Sequence, residues 1–352
     1  MSKTVFVAMS GGVDSSAAAF LLLEEGYNVC GITMKLMSGE LSGSSAVEDA
    51  RRAAGLLGIP HYVCDLQSVF QENVIDYFCR EYLAGRTPNP CVVCNRKIKF
   101  RALFDCARKL GADYLATGHY VRVNYDCMRR RWVLKKGIDS QKDQSYVLYT
   151  LQQDTLPYLK FPLGEYRKDE VRSIIKRAGL PFAGKKDSQE ICFIPDNDYR
   201  RFLLKSVPQA AEPGIIYDVQ GKPIGEHRGV ANYTIGQRRG LGLALGYPAY
   251  VVEIDPVGNT LVVGNREDLM VPGLTARDVN LIALESLLEP YPAQVKIRYA
   301  SSPAEAVLSP GEEGEIIVRF SQPQKAVTPG QAVVFYEDDL VLGGGIIHRP
   351  IR

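Results

Sequence analysis

Three cysteines lie in polar segments of the sequence, where reactive thiols are commonly found. Cys91 and Cys94 form a C-x-x-C pair within Thr87–Asn95, and Cys192 lies much later in the chain, after two lysines. The two prolines before the pair disfavour helix ahead of Cys91. Cys94 is therefore expected near the start of the next helix, where the helix dipole lowers a thiol pKa. These residues predict thiol chemistry.

The other five cysteines carry weaker signals. Cys30, Cys64, Cys79 and Cys106 lie within apolar strand or helix patterns, which predicts burial, and Cys127 lies in a basic hairpin. The start of the chain is too short for a signal peptide, and no apolar run approaches the roughly 18 residues of a membrane span. We therefore expect no membrane partner and a cytoplasmic location, where thiols stay mostly reduced.

Other uses of the three polar cysteines fit less well. A zinc site takes four ligands, and one C-x-x-C with a distant cysteine supplies three. A thioredoxin-like dithiol has its C-x-x-C at the helix after the first strand, and that place holds a glycine loop here. Burial of all three thiols conflicts with their polar neighbours. These alternatives stay open at this point.

The glycine loop, Ser10-Gly11-Gly12-Val13-Asp14-Ser15-Ser16, joins a predicted strand to a predicted helix. Its glycines allow close backbone approach, and the helix start offers N–H groups and a positive dipole end to phosphate. Asp14 is a candidate ligand for the Mg²⁺ that accompanies a triphosphate. The loop lacks a Walker A lysine. It resembles instead the pyrophosphate loop of enzymes that cleave ATP between the α and β phosphates.

Short apolar runs alternate with amphipathic stretches in the first half of the chain. The predicted strands are Thr4–Met9, Tyr27–Met34, His61–Leu66 and Tyr114–Thr117. The predicted helices are Ser15–Glu25, Ala46–Leu57, Val69–Leu83 and Ile98–Leu110. Ser45 and Glu48 form a capping-box pattern. The alternation predicts an α/β domain with a doubly wound parallel sheet. Ligands bind beyond the carboxyl ends of such strands, where Ser10–Ser15, Met34 and Gly118–His119 fall.

Short alternating segments bounded by glycine and proline follow after Ser206 and predict two small β-rich domains. Their strands are Gly214–Tyr217, Ala249–Ile254, Thr260–Val263, Gln294–Tyr299, Glu315–Phe320 and Ala332–Tyr336. The 352 residues allow three domains, with predicted limits of 1–205, 206–275 and 276–352. Hydrophobic content of 46% indicates a folded chain, and a net charge of +2 means that an RNA partner needs a local basic face.

Many separate segments, in one order, resemble the tRNA-specific 2-thiouridylase family of bacterial enzymes that thiolate the wobble uridine. They are the glycine loop, Thr87–Phe100, Ala116–Tyr120, Lys142–Tyr146, Phe161–Gly164, Asp187–Ile194, Tyr233–Gly240, Val295–Tyr299 and Thr328–Gln331. The resemblance implies an N-terminal pyrophosphate-loop domain similar to adenine nucleotide hydrolases, and a C-terminal β-barrel that binds tRNA. It also implies ATP-dependent 2-thiolation with release of AMP and pyrophosphate.

The resemblance also implies roles for individual residues. ATP with Mg²⁺ is bound by Ala8, Met9, Ser10, Gly11, Gly12, Val13, Asp14, Ser15, Met34 and Gly118. Cys94 matches the nucleophile, and Cys192 matches the cysteine that carries the persulfide. The tRNA-contacting positions are His119, Lys142, Asp143, Gln144, Arg298, Tyr299 and Gln331, with Asn89, Pro90 and Cys91 beside the target base. The implied partners are a tRNA with a wobble uridine and a sulfur donor such as a cysteine desulfurase or sulfur carrier.

Cys91 departs from the pattern of many family members, which have an aspartate there as a proposed acid/base group. Members with cysteine resemble a subgroup in which Cys91, Cys94 and Cys192 hold an iron–sulfur cluster that delivers sulfide, and a [4Fe-4S] cluster is one hypothesis. The others are a resting Cys91–Cys94 disulfide and a spectator thiol.

Clustered basic residues give weak support for an RNA partner. Arg129-Arg130-Arg131 with Lys135-Lys136 forms a basic hairpin, and Arg238-Arg239 and Lys185-Lys186 add charge. Two rival functions remain. An amide-forming ligase that adenylates a carboxylate has no use for Cys94 and Cys192, and an ATP-sensing RNA-binding protein releases no AMP.

Overall fold

A five-stranded parallel sheet in the order β3-β2-β1-β4-β7 forms the centre of the N-terminal half in this computed structural model. The structure describes residues 2–37, 44–181 and 191–352. The strands are β1 Thr4–Ala8, β2 Asn28–Lys35, β3 His61–Asp65, β4 Tyr114–Ala116 and β7 Leu159–Lys160. A hairpin of β5 Val121–Asp126 and β6 Arg131–Lys136 follows β4. The strand order reverses between β1 and β4, which makes their carboxyl ends the expected place for a ligand.

Helices cover both faces of this sheet. They are α1 Val13–Glu24, α2 Ser44–Leu56, α3 Gln67–Phe70, α4 Asp76–Leu83, α5 Pro90–Val93, α6 Phe104–Lys109 and α7 Lys168–Arg177. Helices α1, α2 and α7 pack on the face that carries Val5 and Val7. Helices α3, α4 and α6 pack on the face that carries Phe6 and Ile32. Burial on both sides explains why the central strands are nearly continuous apolar runs. The doubly wound sheet is confirmed.

The helix that carries Cys91 and Cys94 begins earlier than predicted. Helical structure runs without a break from α5 through the π-helical segment Cys94–Leu103 into α6, whereas the sequence pattern placed its start at Ile98. Pro90 occupies the first helical position, where the missing N–H costs nothing. The prolines thus mark the start of the helix. A second π-helical segment, Gln71–Ile75, joins α3 to α4.

A small four-stranded sheet in the order β10-β11-β8-β9 follows helix α8 Tyr199–Ser206. Its strands are β8 Gly214–Asp218, β9 Pro223–His227, β10 Tyr250–Asp255 and β11 Thr260–Gly264. The side chains of Ile216, Val251 and Leu261 form its own small core.

Six antiparallel strands close into a barrel at the C-terminal end. They are β12 Met270–Leu281, β13 Tyr291–Lys296, β14 Ala304–Pro310, β15 Ile316–Lys325, β16 Ala332–Glu337 and β17 Leu340–Ile351, and pairing of β12 with β17 completes the ring. The predicted limit at residues 275 and 276 falls inside β12, whose partners β15 and β17 both belong to the barrel. We propose that the third domain starts at Met270.

The barrel shares structure with the N-terminal domain. Leu340 of β17 pairs with Lys135 of β6, so the basic hairpin continues the barrel sheet. Tyr146 and Tyr149, both buried, donate hydroxyl hydrogen bonds to barrel carbonyl groups at 2.7 and 3.1 Å. No helix among the described residues is long and apolar enough to cross a membrane.

Candidate active site

The glycine loop turns sharply between β1 and α1. Gly11 has φ +66°, and a Cβ atom there would lie 2.3 Å from the Cβ atom of Asp49. The hydroxyl groups of Ser15 and Ser16 donate to the Gly12 carbonyl oxygen at 3.4 and 2.9 Å. Gly12 is the N-cap of α1 and supplies no side-chain cap, which leaves the positive end of the helix to an anion. The loop therefore has the local structure of a phosphate site.

The reversal of strand order between β1 and β4 places Gly118, just after β4, against the same loop. A Cβ atom on Gly118 would lie 2.7 Å from the carbonyl carbon of Asp14, so only glycine fits this approach. Met34, at the end of β2, is half-buried, and the neighbouring Thr33 hydroxyl donates to the Met9 carbonyl oxygen at 2.8 Å. The structure thus places Met9, the loop, Met34 and Gly118 at one edge of the sheet, as the sequence predicts.

Asp14 is held by two partners that the sequence analysis missed. Lys168 Nζ lies 2.8 and 2.9 Å from its carboxylate oxygens, and the Tyr120 hydroxyl donates to it at 2.8 Å. The hypothesis that Asp14 is a Mg²⁺ ligand therefore competes with an ion pair to a lysine that is only 7% exposed. The loop lacks a lysine of its own, yet the first residue of α7 supplies one. The sequence signal that could have identified Lys168 is a lysine on the apolar face of an amphipathic helix.

The start of the cysteine-bearing helix is fixed by Asn89. Its side-chain oxygen accepts a hydrogen bond from the Val92 N–H at 3.3 Å, and Pro90 follows it. Cys91 is exposed and Cys94 is buried, with 9% of its surface accessible. All eight cysteines, each within the described ranges, are free, which leaves no Cys91–Cys94 disulfide in this structure.

Cys192 is positioned by the residues that follow it. The Phe193 ring packs edge-on against Phe70, Phe78 and Phe202, with centroid distances of 5.3–5.8 Å. Phe193 is 5% exposed, whereas Cys192 is exposed. The aromatic anchor therefore fixes the chain one residue beyond the thiol and leaves the thiol at the surface of the core.

The charges of the three thiols act on one another. Burial raises the pKa of Cys94 to about 12, Lys99 lowers it, and Cys192 and Cys91 raise it further. Desolvation likewise raises the pKa of Cys192, with Cys91 adding to the effect and Lys99 opposing it. The expectation that the helix dipole would give Cys94 a low pKa is therefore wrong, because burial outweighs the dipole. Lys99 is a second residue that sequence analysis missed, although it follows Cys94 by little more than one helical turn.

The described residues include no preassembled metal site. Among residues 2–37, 44–181 and 191–352, no three His, Cys, Asp or Glu side chains lie close enough to hold a metal ion. The three thiols interact through their charges. A cluster needs three thiolates that point at one centre. The [4Fe-4S] cluster stays a prediction, and no step is derived through one.

His119 is buried between aromatic rings. Its centroid lies 5.9 Å from Phe100 and 6.3 Å from Phe161, and its Nδ1 atom is 2.7 Å from the Thr117 hydroxyl. Burial, together with Lys99, holds the pKa of His119 well below its usual value, so the ring is neutral. A direct contact with tRNA would require this ring, 8% exposed, to be uncovered.

The predicted tRNA-contacting residues of the first and third domains lie side by side. The Tyr299 hydroxyl donates to the Asp143 carbonyl oxygen at 3.2 Å, and the Tyr299 ring packs edge-on against Tyr146. Desolvation raises the pKa of Tyr299, with further effects from Asp143, Lys142 and Cys91. Tyr299 is 47% exposed. The Tyr299 side chain of the barrel therefore lies beside the Lys142–Gln144 segment and within reach of the charge of Cys91.

Other polar side chains in this group serve the fold. The Asp143 carboxylate accepts from the Ser145 hydroxyl at 2.8 Å, and Gln144 Oε1 accepts from the Tyr120 N–H at 3.0 Å. Arg298 donates to the carbonyl oxygens of Lys325 and Ala326.

The basic hairpin fastens the barrel to the first domain. Arg129 pairs with Glu337 at 2.6 Å, and Arg131 donates to the Ile282 carbonyl oxygen at 3.0 Å. Lys135 lies 3.7 Å from Asp339. Groups of the barrel side already pair with these three cationic side chains, so the hairpin gives little support to an RNA interface. The lysine pair at 185 and 186 and the capping contact of Ser45 lie outside the described residues and side chains.

The fold and the site together define a nucleotide-binding α/β protein with a pyrophosphate loop beside a group of thiols. Family models match three successive parts of the chain. They are a "tRNA methyl transferase HUP domain" over residues 3–196, a "tRNA methyl transferase PRC-barrel domain" over 200–265 and an "Aminomethyltransferase beta-barrel domain" over 271–347.

Curated relatives extend over the whole chain. The "tRNA-specific 2-thiouridylase MnmA 1" of Caldanaerobacter subterraneus subsp. tengcongensis is 48% identical over 362 aligned positions, covering 100% of both chains. The "tRNA-specific 2-thiouridylase MnmA" of Clostridioides difficile is 47% identical, covering 100% of this chain and 99% of the relative. The chain belongs to the tRNA-specific 2-thiouridylase family.

One solved structure with some likeness is a 4-thiouridine synthetase–RNA complex with bound ATP. It has a TM-score of 0.39 and 19% identity, covering 59% of this chain and 51% of that chain. This likeness is too low to bear on function.

Proposed function

We propose that the protein is an ATP-dependent tRNA-uridine 2-sulfurtransferase that acts on the wobble uridine. The observation that carries this proposal is that Cys94 lies in the same hydrophobic core as Phe193, the residue after Cys192, although the two cysteines are far apart in sequence. The relatives' names supply the substrate class. The phosphate loop lies in the same domain, and Lys99 acts on both the thiols and His119, the residue after Gly118.

Activation of the base explains the phosphate loop. The C2 oxygen of the uridine attacks the α-phosphorus of ATP, the bond to the β-phosphate breaks, and pyrophosphate leaves. The loop N–H groups, with Mg²⁺ brought by the nucleotide, stabilise the charge on pyrophosphate. The oxygen, now bonded to AMP, has become a good leaving group. The residues from Ala8 to Ser15, with Met34 and Gly118, are proposed to hold the nucleotide.

Sulfur transfer explains the two thiols. A donor converts Cys192 to a persulfide, and the outer sulfur attacks C2 while AMP departs with the oxygen. The Cys94 thiolate then attacks the inner sulfur of the Cys192 adduct, which releases 2-thiouridine and leaves a Cys94–Cys192 disulfide. An external thiol reductant restores both cysteines. The raised pKa of Cys94 keeps it protonated at neutral pH, so this attack requires loss of its proton at the last step.

The partners follow from this chemistry. We propose a tRNA bound beside Tyr299, with Asn89, Pro90 and Cys91 beside the target base. The uridine is turned out of its stack to reach Cys94. The sulfur donor is proposed to be a cysteine desulfurase or a sulfur carrier. Free thiols in an active site suit a reducing compartment such as the cytoplasm.

The test is a reaction under strict anaerobiosis with unmodified tRNA, Mg-ATP and a persulfide donor. Digestion of the tRNA and mass spectrometry quantify 2-thiouridine. The wild type is expected to form it, and Cys94→Ala and Cys192→Ala are expected to lose it. Cys127→Ala, which removes an exposed thiol in the hairpin, serves as the matched control and is expected to stay active. Equal activity in all four proteins would contradict the proposal.

A further inference from the structure

Thr87 lies at the junction of the three domains, two residues before Asn89. Its N–H donates to the Pro329 carbonyl oxygen at 2.9 Å, and its carbonyl oxygen accepts from Gln331 Nε2 at 2.9 Å. Its hydroxyl donates to the Thr234 hydroxyl at 3.2 Å. Each polar group of this one residue therefore contacts another domain. We call Thr87, Thr234, Pro329 and Gln331 the domain clasp.

The barrel side of the clasp is built for close approach. Gly330 has φ +89°, and a Cβ atom there would lie 3.0 Å from both the Cβ atom of Arg86 and the backbone nitrogen of Thr87. The Gly330 N–H donates to the Ile347 carbonyl oxygen at 2.9 Å, and Ile347 donates back to Gln331 at 2.8 Å. The turn is thus fixed to β17 and presents Gln331 at a defined position.

On the side of the catalytic domain, the clasp is followed along the chain by the helix that carries the thiols. Gln331 Nε2 also lies 3.3 Å from the Pro88 carbonyl oxygen. Asn89 caps the helix that carries Cys91 and Cys94, and Pro90 opens it. A shift of the Thr87–Pro88 peptide would therefore move the helix cap and, with it, the buried Cys94.

The clasp also connects to a residue that the family resemblance assigns to tRNA. Arg298 is exposed and donates to the carbonyl oxygens of Lys325 and Ala326, at the end of β15. The Thr328 hydroxyl donates to the Ala326 carbonyl oxygen at 2.9 Å, and the Gln331 N–H donates to Thr328 at 3.2 Å. A continuous set of hydrogen bonds thus runs from Arg298 to Thr87.

We propose that Gln331 is a positioning residue that fixes the start of the cysteine-bearing helix from the barrel. The inference rests on the proposed thiolation. It differs from a direct tRNA contact, because the side-chain nitrogen of Gln331 donates to the Thr87 and Pro88 carbonyl oxygens.

The experiment compares Gln331→Ala and Gln331→Glu with the wild type in the full chain. The glutamate variant keeps the length of the side chain but presents acceptors to two carbonyl oxygens, so it is expected to fail like the alanine variant. For both variants we expect kcat for 2-thiouridine formation to fall about tenfold, the effect of one ordinary hydrogen bond. The Kd for tRNA is expected to stay within about twofold, since no contact with tRNA is lost.

Hydrogen exchange supplies a readout that does not depend on activity. Amide exchange in the peptide that spans residues 84–93 is expected to accelerate in both variants, while the β1 and β2 peptides stay protected. Gln324→Ala is the matched control, since its amide donates to the nearby Gln322 carbonyl oxygen rather than to another domain. It is expected to match the wild type in exchange, kcat and Kd.

Three results separate the possibilities. A raised Kd with unchanged kcat would overturn the inference and make Gln331 a tRNA contact. Unchanged exchange over residues 84–93 would also overturn it. A wild type that forms no 2-thiouridine would contradict the proposed function, and accelerated exchange in the variants would then still support the clasp.

Discussion

Reactivity at the residue scale is governed by the surroundings of Cys94. The thiol lies in the core that also contains Val92 and Ile98, and burial is the largest influence on its pKa. Lys99 is the opposing charge. Since the thiolate is the nucleophile, burial keeps Cys94 mostly protonated at neutral pH, whereas the Cys192 thiol is exposed. This division suits a carrier thiol and a releasing thiol.

The pH dependence of Cys94 alkylation tests this division. With a pKa of about 12, the thiolate fraction of Cys94 rises about tenfold per pH unit throughout the range below pH 10. We expect the iodoacetamide rate at Cys94, followed by peptide mass spectrometry, to rise without a plateau from pH 7 to about pH 9.5. A plateau near neutral pH would show a low pKa and contradict the account.

The influence of Lys99 is tested by the same assay. Replacement of Lys99 by methionine removes the charge that lowers the Cys94 pKa, so alkylation at a fixed alkaline pH should slow by roughly threefold. Lys97→Met, which removes an exposed lysine of the same helical segment, is the matched control. If both variants slow equally, the effect is one of net charge rather than position.

Lys168 is the second residue whose effect can be isolated. Lys168→Met removes the ion pair to Asp14 and leaves the hydrogen bond from the Tyr120 hydroxyl in place. We expect ATP to bind at least about tenfold more weakly, because an uncompensated negative charge would face the triphosphate. Equilibrium dialysis measures this, with the exposed Lys176→Met, in the same helix, as control. Unchanged ATP affinity in Lys168→Met would argue against the role of Lys168 at the loop.

At the scale of elements, the site depends on where helices begin. Helix α1 starts at a glycine and presents its dipole to phosphate, whereas α5 starts at Asn89 and Pro90 and places the thiols within its first turns. The π-helical segment that follows Cys94 is typical of functional sites, where an altered helical register turns a side chain toward a ligand. These two helix starts bring the nucleotide and the sulfur chemistry into one domain.

Loss of the Asn89 cap tests the second helix start. Asn89→Ala removes the acceptor of the Val92 N–H and should lower the free energy of unfolding by about 1 kcal/mol. Asn89→Asp keeps an acceptor at the same place and is expected to remain within a few tenths of a kcal/mol of the wild type. Urea denaturation gives both values. An equal loss in the two variants would show that the amide group acts in some other way.

At the scale of the whole molecule, the catalytic domain and the barrel share one core. Tyr146, Tyr149 and Tyr336 are each no more than 1% exposed, and they lie in the same cluster as Ile98 and Leu103 of the cysteine-bearing helix. The basic hairpin adds ion pairs across the same junction. The barrel is therefore a wall of the site, and it also carries Arg298, Tyr299 and Gln331, which the family resemblance assigns to tRNA.

Cooperative unfolding follows from this shared core. We expect calorimetry to show one transition for the catalytic domain and the barrel together. Tyr146→Phe, which loses the hydrogen bond to the Ala332 carbonyl oxygen, should shift that transition by about 1 kcal/mol of stability. Two separate transitions, with only one moved by the substitution, would contradict a common core.

Features set by neighbouring residues could be predicted from the sequence, whereas contacts between residues far apart in the chain could not. The phosphate loop, the parallel strands and the small β domains were predictable because glycine turns and apolar periodicity are local signals. The Lys168–Asp14 pair and the Thr87–Gln331 contact join residues far apart in the chain, and neither residue type alone signals its partner. The pKa of Cys94 was misjudged for the same reason, since burial depends on distant segments.

The proposed mechanism requires the uridine oxygen to leave with AMP, and an isotope label follows that oxygen. A tRNA transcript made with ¹⁸O at C2 of uridine is incubated anaerobically with the protein, Mg-ATP and a persulfide donor, and the products are analysed by mass spectrometry. We expect AMP to carry the ¹⁸O and 2-thiouridine to form in equal amount. 2-Thiouridine formed alongside unlabelled AMP, with the ¹⁸O released to water or found in pyrophosphate, would contradict it.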